Sequence, residues 1–232
     1  MDDKTNFTIS GKVCAVTGGA SGIGLCFVNQ LLEHDARRVY ILDFNVTTGV
    51  EVEQHLQKKY GVSRVKFIQT NVVKEDMLKE YFMINFLLEI FDQIIAESQR
   101  LDILMNNAGT LFKHLVISVN LMGAYHCLDI AIKHMSKANG GSGGVIINTA
   151  SNMGLIGCIS SPLYSASKHG VIGLTRSYAH PCFYEESGIR VMAICPNATE
   201  TPLLDMVKEK TKVPVIQNLK GQIERELKLA QS

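Results

Sequence analysis

A glycine-rich stretch, GGASGIG at residues 18–24, lies between a short apolar run that ends at Thr17 and a periodic apolar segment that begins at Leu25. This order of strand, glycine turn and helix is the context in which such a loop binds a dinucleotide. Glycine lets the chain turn tightly and lets backbone N–H groups approach a ligand, and the start of a helix attracts phosphate. We therefore predict that a dinucleotide is bound by Gly18, Ser21, Gly22, Ile23 and Gly24.

A carboxylate stands at the end of the next predicted strand, RRVYILDF. At this position Asp43 would accept hydrogen bonds from the adenosine ribose hydroxyls and repel a 2′-phosphate, which favours NAD over NADP. Arg37 and Arg38 precede the strand and are poorly placed to bind that phosphate. The alternative role for Asp43 is to cap the helix that begins near Thr47.

Strands and helices alternate along the chain. Helical spacing over 47–60 ends at a glycine, and RVKFIQTNV then indicates a third strand. Phe44 after the second strand, and Asn71 and Val72 after the third, would border the adenine, although a turn is the alternative role for Asn71. The alternation indicates an α/β fold, a Rossmann-like doubly wound parallel sheet with helices on both faces. We predict a single domain over residues 1–232, with six strands and without a seventh C-terminal strand.

A long apolar stretch at residues 76–98 precedes the fourth predicted strand. Its apolar side chains cover every face of a helix, which implies burial on several sides. Asn85, Glu89 and Asp92 interrupt the stretch, and it is too short to span a bilayer. We interpret it as a subunit contact, with peripheral membrane contact as the alternative, and expect a homodimer rather than an integral membrane protein.

The composition narrows the classes of partner. The formal net charge is +1 and charged residues make up 19% of the chain, so nothing favours nucleic acid or an anionic membrane. The six cysteines are scattered and do not stand at metal-ligand spacing with histidines, which predicts no metal site and a reducing compartment. The start, MDDKTNFTIS, does not read as a signal peptide. We expect a cytoplasmic protein with a small-molecule substrate.

Three side chains suited to proton transfer follow the apolar run VIINTA. Ser151 comes directly after it, and Tyr164 and Lys168 stand four residues apart further along. That spacing puts a phenol and an ammonium on one helix face, where the cation would lower the phenol pKa. Alone, the pair is equally typical of a solvated helix face. Asn120, inside an otherwise apolar helix, is either functional or makes a local backbone hydrogen bond.

Two more segments follow predicted strands. LDILM runs into NNAG at 106–109, where small residues would let a flat cofactor pass and asparagine amides would tie neighbouring strands together. A proline ends the sixth strand, IRVMAI, and polar side chains after it would bind a carboxamide or a phosphate. The cofactor contacts expected from these segments are Asn107, Ala108, Gly109, Pro196, Thr199 and Thr201.

The chain resembles the classical short-chain dehydrogenase/reductases over nearly its whole length. The motifs that carry the resemblance are TGGASGIG (17–24), Asp43, NNAG (106–109), Asn120, Ser151 and YSASK (164–168). Phrases such as YSASKHGVIGLTRS and AICPN look most like the NAD-dependent 15-hydroxyprostaglandin dehydrogenase branch, which includes insect alcohol-dehydrogenase-like enzymes.

The resemblance implies a catalytic tetrad. In such enzymes Tyr164 would exchange the proton of a secondary alcohol while a hydride passes between the alcohol carbon and NAD. Lys168 would bind the nicotinamide ribose of the cofactor and lower the tyrosine pKa. Tyr164 would also contact the cofactor. Ser151 would hold the substrate oxygen, and Asn120 would support a proton relay. The leading hypothesis is thus an NAD-dependent alcohol dehydrogenase or ketone reductase acting on a lipid-like or steroid-like compound.

Departures from the family pattern favour a second hypothesis. The stretch around 83–91 is longer than in the pattern, the connection 110–119 is shorter, and the chain ends earlier. Asn197 replaces a glycine that normally follows the proline. These departures indicate a variant with impaired turnover, and the second hypothesis is therefore a non-catalytic NAD-binding or interaction protein.

Overall fold

Six parallel strands form one sheet in the computed structural model, which describes residues 7–72, 80–197, 199 and 201–203, with the backbone alone at 80–83. The strands are β1 (Val13–Thr17), β2 (Arg38–Asp43), β3 (Val65–Gln69), β4 (Ile103–Asn106), β5 (Gly144–Thr149) and β6 (Ile189–Ile194). Their order is β3-β2-β1-β4-β5-β6, and all neighbours are parallel. The predicted Rossmann-like α/β fold is confirmed. The prediction about a seventh strand concerns 204–232, outside the described residues.

Helices pack on both faces of this sheet. They are α1 (Gly22–Glu33), α2 (Val46–Tyr60), α3 (Glu80–Ser98), α4 (Ala124–Met135), α5 (Pro162–Tyr178) and α6 (Pro181–Ser187). A π-helical stretch, Ser118–Gly123, leads directly into α4. Across the described parts of the chain, every helix falls short of the length and apolarity that a membrane crossing requires.

The central strand β1 is buried on both sides. Val13 and Ala15 pack in one apolar cluster with α3 and α4, whereas Cys14 and Val16 pack in another with α1 and α2. Successive side chains of a strand point to opposite faces, so a strand covered by helices on both faces is apolar throughout. The sequence VCAVT is apolar at its first four positions and buried at all five, including Thr17.

Helix α3 packs against the rest of the chain with one side. Over residues 84–98 one stripe at helical spacing is buried, namely Leu87, Ile90, Phe91 and Ile94. The opposite side exposes Glu89, Asp92 and Gln93 to solvent. Within one chain the sheet therefore covers one side of this part of the helix, and burial of further sides in a subunit contact stays a prediction. The predicted start at residue 76 and the side chains of 81–83 lie outside the described part.

The strand order reverses between β1 and β4, and the predicted ligand residues meet at this point. The chain leaves β1 at Thr17 and enters the glycine loop on one side, and it leaves β4 at Asn106 and enters NNAG on the other. In open parallel sheets, ligands bind in the crevice outside the carboxyl ends of the strands at such a reversal. Strands β5 and β6 end on the same edge, which brings Ser151 and Pro196 to it.

Candidate active site

The glycine loop has the backbone that its sequence predicts. Gly18 and Gly22 have φ angles of 62° and 52°, in the left-handed region that favours glycine. A Cβ on Gly24 would lie 2.1 Å from the Gly18 carbonyl oxygen and 2.6 Å from Asn107 Nδ2. Ser21 precedes α1 in an extended conformation, and its side chain makes no capping hydrogen bond. The N–H groups at the start of α1 therefore keep the capacity to bind a phosphate.

Asp43 joins the end of β2 to the glycine loop. Its Oδ2 accepts the N–H of Ala20 at 3.1 Å and its Oδ1 accepts the N–H of Asn45 at 3.0 Å. The helix α2 is capped instead by Asn45, whose side chain accepts the N–H of Thr48 at 3.2 Å. The capping alternative for Asp43 is therefore wrong. The carboxylate is buried at the carboxyl end of β2.

Of four other predicted cofactor residues, two are exposed and two pack against apolar neighbours. The ring of Phe44 is 72% exposed directly after β2, and Asn71 is also exposed. Val72 is buried against Gly123, where a Cβ would lie 3.1 Å from the Val72 side chain. Ile23 packs into the apolar cluster of α1 and α2. Phe44 and Asn71 thus present their side chains outward, while Val72 and Ile23 serve packing.

A hydroxyl that the sequence analysis missed organises the NNAG turn. Thr17 Oγ1 accepts the backbone N–H groups of Asn107 and Ala108 at 2.9 and 3.1 Å. Asn107 Nδ2 in turn donates to the carbonyl oxygen of Gly18 at 3.1 Å. These bonds fix the two loops against each other across the strand reversal. The signal in the sequence was a threonine at the carboxyl end of the strand before the glycines.

Two asparagines tie β4 to β5 and to α5. Asn106 Nδ2 donates to Asn148 Oδ1 at 2.9 Å, and Asn148 Nδ2 donates to Thr175 Oγ1 at 2.9 Å. All three side chains are buried. In a dry interior each such bond restricts the geometry strongly, because a broken bond leaves a buried polar group unpaired. The network therefore fixes the position of the helix that carries Tyr164 and Lys168.

Lys168 lies buried beside the phenol of Tyr164. Its ammonium donates to the carbonyl oxygen of Thr149 at 2.7 Å and lies 5.7 Å from the Tyr164 ring centroid. Burial lowers the pKa of Lys168 from its ordinary 10.5 to about 8, with Cys195 acting in the opposite direction. A Cβ on Gly109 would lie 3.8 Å from the ammonium. The solvated-face alternative is wrong for this pair, since Lys168 is only 3% exposed.

The pKa of Tyr164 shifts in the direction opposite to the prediction. Burial raises the pKa of this phenol above its ordinary 10.0, and a hydrogen bond with Ser151 acts the other way. The ammonium of Lys168 donates to the carbonyl oxygen of Thr149, and burial is the larger influence on the phenol. The prediction that the tyrosine pKa is lowered is therefore wrong for this structure.

Ser151 comes two residues after the end of β5, at the start of a short 3₁₀ turn, Asn152–Gly154. Its Oγ accepts the N–H of Met153 at 3.2 Å and donates to Asn152 Oδ1 at 3.1 Å. The sequence predicted that this hydroxyl lies at the carboxyl end of a strand, and the end of β5 places it there.

Asn120 bridges two segments from inside the π-helical stretch. Its Oδ1 accepts the N–H of Thr110 at 2.8 Å, and its Nδ2 donates to the Thr110 carbonyl oxygen at 3.1 Å and to Ser167 Oγ at 3.2 Å. None of these partners is one helical turn away, so the local backbone bond is not its role. Such π-helical turns often mark functional sites. Ser167 was also missed by the sequence analysis.

The segment after β6 lies against the glycine loop. A Cβ on Gly22 would lie 3.1 Å from the Thr201 side chain. The carbonyl oxygen of Pro196 accepts the N–H of Asn152 at 3.0 Å, and Thr199 Oγ1 donates to the carbonyl oxygen of Asn197 at 2.9 Å. This segment therefore contacts both the glycine loop and the turn that follows Ser151.

A family model described as short chain dehydrogenase matches residues 12–212. The rat 15-hydroxyprostaglandin dehydrogenase [NAD(+)] is 37% identical over 205 residues, which cover 87% of this chain and 73% of the rat protein. Alcohol dehydrogenase 1 of Ceratitis capitata is 30% identical over 206 residues, which cover 88% of this chain and 76% of the fly protein.

Solved structures share the fold. Levodione reductase superimposes with a TM-score of 0.73 at 27% identity, covering 87% of this chain and 76% of the reductase. NAD+-bound xylitol dehydrogenase superimposes with a TM-score of 0.70 at 28% identity, covering 82% of this chain and 72% of the dehydrogenase.

Proposed function

Because this chain belongs to the short chain dehydrogenase family, we propose that it is an oxidoreductase that transfers a hydride between NAD(H) and a secondary alcohol or ketone. The observation that carries the proposal is that Lys168, beside the ring of Tyr164, bonds the last residue of β5, two residues before Ser151, at the carboxyl edge of the sheet. Ser151, Tyr164 and Lys168 supply a hydrogen-bond donor, an acid/base and a buried cation, which are the groups this reaction needs besides a hydride carrier.

The residues along the crevice fit NAD. The start of α1 suits the pyrophosphate, and the left-handed Gly18 and Gly22 let the backbone come close to it. Each carboxylate oxygen of Asp43 accepts one backbone N–H and retains a lone pair for a ribose hydroxyl. When bound, NAD supplies the carbon that accepts or gives up the hydride. The rat relative is named as NAD(+)-dependent, which supports this choice of cofactor.

Tyr164 carries the proton in this proposal. Burial keeps its pKa above the ordinary value, so the phenol is protonated at neutral pH and suited to donate to a carbonyl oxygen. In the direction of alcohol oxidation the phenol must first lose its proton. Oxidation therefore speeds up and reduction slows down as pH rises above neutral.

Two other side chains position the reactants. The Ser151 hydroxyl, directly beyond the carboxyl end of β5, would hold the substrate oxygen next to the phenol of Tyr164. Lys168 uses one N–H on the carbonyl oxygen of Thr149 and has further donors for the nicotinamide ribose. Asn120 uses both amide N–H groups within the protein, and acceptor capacity remains on its Oδ1 to order a water of the proton relay.

The segment between Ser151 and Tyr164 favours an apolar substrate, lipid-like or steroid-like. It is free of charged residues and exposes four large apolar side chains, Leu155, Ile156, Ile159 and Leu163. An apolar rim this close to the reacting groups would cover hydrocarbon and leave a charged substrate poorly solvated. The name of the rat relative, which includes a hydroxyprostaglandin, agrees with this choice.

We also propose the cellular setting that the sequence predicts: one domain over residues 1–232, in the cytoplasm, as a homodimer. Sedimentation equilibrium at micromolar concentration tests the dimer, and a monomer would contradict it.

The test of function uses purified protein, NAD and a panel of secondary alcohols at pH 7 to 10, with NADH absorbance as the readout. We expect turnover with apolar alcohols, and Tyr164→Phe abolishes it while calorimetric NAD binding persists. The matched control is Tyr178→Phe, near the far end of the same helix, which keeps wild-type turnover.

NAD binding without turnover across the panel would overturn the enzymatic proposal. It would favour the second hypothesis, a non-catalytic NAD-binding protein. Absence of NAD binding would overturn both.

A further inference from the structure

A chain of four groups connects the loop after β4 to the helical turn that carries Tyr164. The backbone N–H of Thr110 donates to Asn120 Oδ1 at 2.8 Å, and Asn120 Nδ2 donates to the Thr110 carbonyl oxygen at 3.1 Å. The same amide donates to Ser167 Oγ at 3.2 Å, and Ser167 Oγ donates to the carbonyl oxygen of Tyr164 at 2.7 Å. The loop and the helix are thus joined through a single hydroxyl.

That hydroxyl is fully enclosed. Ser167 has 0% exposure, and Asn120 has 1%. One hydroxyl can accept one hydrogen bond while donating another, which is how Ser167 serves both neighbours. Without the hydroxyl, an amide N–H of Asn120 would lie buried without its acceptor, a costly state that a shift of the loop or the helix would relieve.

A shift at this point would reach the reacting groups. Ser167 immediately precedes Lys168 and lies one turn after Tyr164 on α5. On the loop side, Gly109 adjoins Thr110, and a Cβ there would lie 3.5 Å from Asn120 Oδ1 and 3.8 Å from the Lys168 ammonium. The loop is therefore in near contact with the cation whose position the helix sets.

We propose that Ser167 is a positioning residue for the reaction. It holds the turn with Tyr164 and Lys168 at a fixed distance from the loop after β4 by coupling the helix backbone to the Asn120 amide. This inference rests on the proposed oxidoreductase function. It assigns Ser167 no contact with substrate or cofactor.

A serine that bonds the carbonyl three residues earlier is also a common local feature of helices. The chain offers a matched control for that reading. Ser165 lies on the same helix next to Tyr164 and is 5% exposed, and its hydroxyl has no hydrogen-bond partner among the described residues. Ser165→Ala therefore removes a buried hydroxyl from the same turn without touching the bridge.

The kinetic test compares Ser167→Ala with Ser165→Ala and with the wild type. We expect Ser167→Ala to lower kcat about tenfold, the loss that a broken buried hydrogen bond produces, with KM for NAD changed less than about twofold. Ser165→Ala keeps kcat within about twofold of the wild type. Equal kcat values for the two variants would overturn the proposal. If Ser167→Ala does not fold, Ser167→Cys, which keeps the volume but bonds weakly, takes its place.

An activity-independent readout separates this inference from the proposed function. Hydrogen exchange at the Thr110 amide, which donates to Asn120, should be at least about tenfold faster in Ser167→Ala than in the wild type and unchanged in Ser165→Ala. Unchanged exchange in Ser167→Ala would overturn the coupling. An inactive wild type would refute the proposed function, and the exchange comparison would still decide whether Ser167 couples loop and helix.

Discussion

Lys168→Met removes a buried ammonium while keeping a long side chain, and we expect it to flatten the pH dependence of folding stability. The pKa of Lys168 is lowered from its ordinary 10.5 to about 8, chiefly by burial. Between these pH values the unfolded chain holds a proton that the folded chain has released. The stability of the wild-type protein therefore rises with pH across this window.

The magnitude follows from the two pKa values. The fall from 10.5 to about 8 corresponds to roughly 3 kcal/mol, at about 1.4 kcal/mol for each pKa unit. Below pH 8 the folded wild-type protein carries the full cost of the buried charge, and above pH 10.5 it carries none. The free energy of unfolding of Lys168→Met minus that of the wild type should thus fall by roughly 3 kcal/mol from pH 7 to pH 11. Loss of the hydrogen bond to Thr149 changes this difference by the same amount at every pH, so it does not change how the difference varies with pH.

Urea unfolding at pH 7, 8, 9, 10 and 11 measures the difference. Circular dichroism follows it, since the chain contains no tryptophan. Lys58→Met, at an exposed position of α2, is the control, and its difference from the wild type should not vary with pH. A difference that is equally flat for Lys168→Met would refute the argument that burial lowers the pKa of Lys168.

Three further changes test other parts of the structure. Gly24→Ala places a Cβ 2.1 Å from the Gly18 carbonyl oxygen. It should lower the free energy of unfolding by at least about 2 kcal/mol in thermal unfolding and abolish calorimetric NAD binding. The control is Gly173→Ala, which has open space around it and should stabilise α5 by about 0.5–1 kcal/mol. Asp43→Ser removes the carboxylate that repels a 2′-phosphate, and kcat/KM for NADP relative to NAD should rise at least about tenfold; an unchanged ratio would contradict the selectivity argument. Phe91→Ala removes a fully buried ring and should cost about 3–5 kcal/mol in urea unfolding, and a loss below about 1 kcal/mol would contradict its packing.

The strands and their ligand edge were predictable from local patterns. The strands are short runs rich in apolar residues, as VCAVT and VIINT are, and parallel strands place their carboxyl ends on one edge. Residues directly after these runs, such as Asp43 and Ser151, were therefore located correctly. The comparisons confirm the family resemblance that these motifs indicated.

Quantities set by tertiary packing were not predictable. Helix α3 carries apolar residues on more than one side, and the position of the sheet decides which of them are buried within the chain. The sign of the Tyr164 pKa shift depends on how deeply the phenol is buried and on where the Lys168 ammonium points. Spacing along the chain gives neither quantity. The hydrogen-bond partners of Thr17 and Ser167 were missed because the sequence does not show which way a hydroxyl points in the folded chain.

The position of β1 has a consequence for synthesis on the ribosome. Its register joins Cys14 to Val39 on one side and to Ile103 on the other. At about 5–20 residues per second, the second neighbour is translated roughly 3–13 s after the first. During that interval the nascent chain holds a half-paired strand whose free edge invites wrong partners. We expect chains arrested before residue 103 to be digested faster by protease, and to bind holdase chaperones more strongly, than chains arrested well beyond β4.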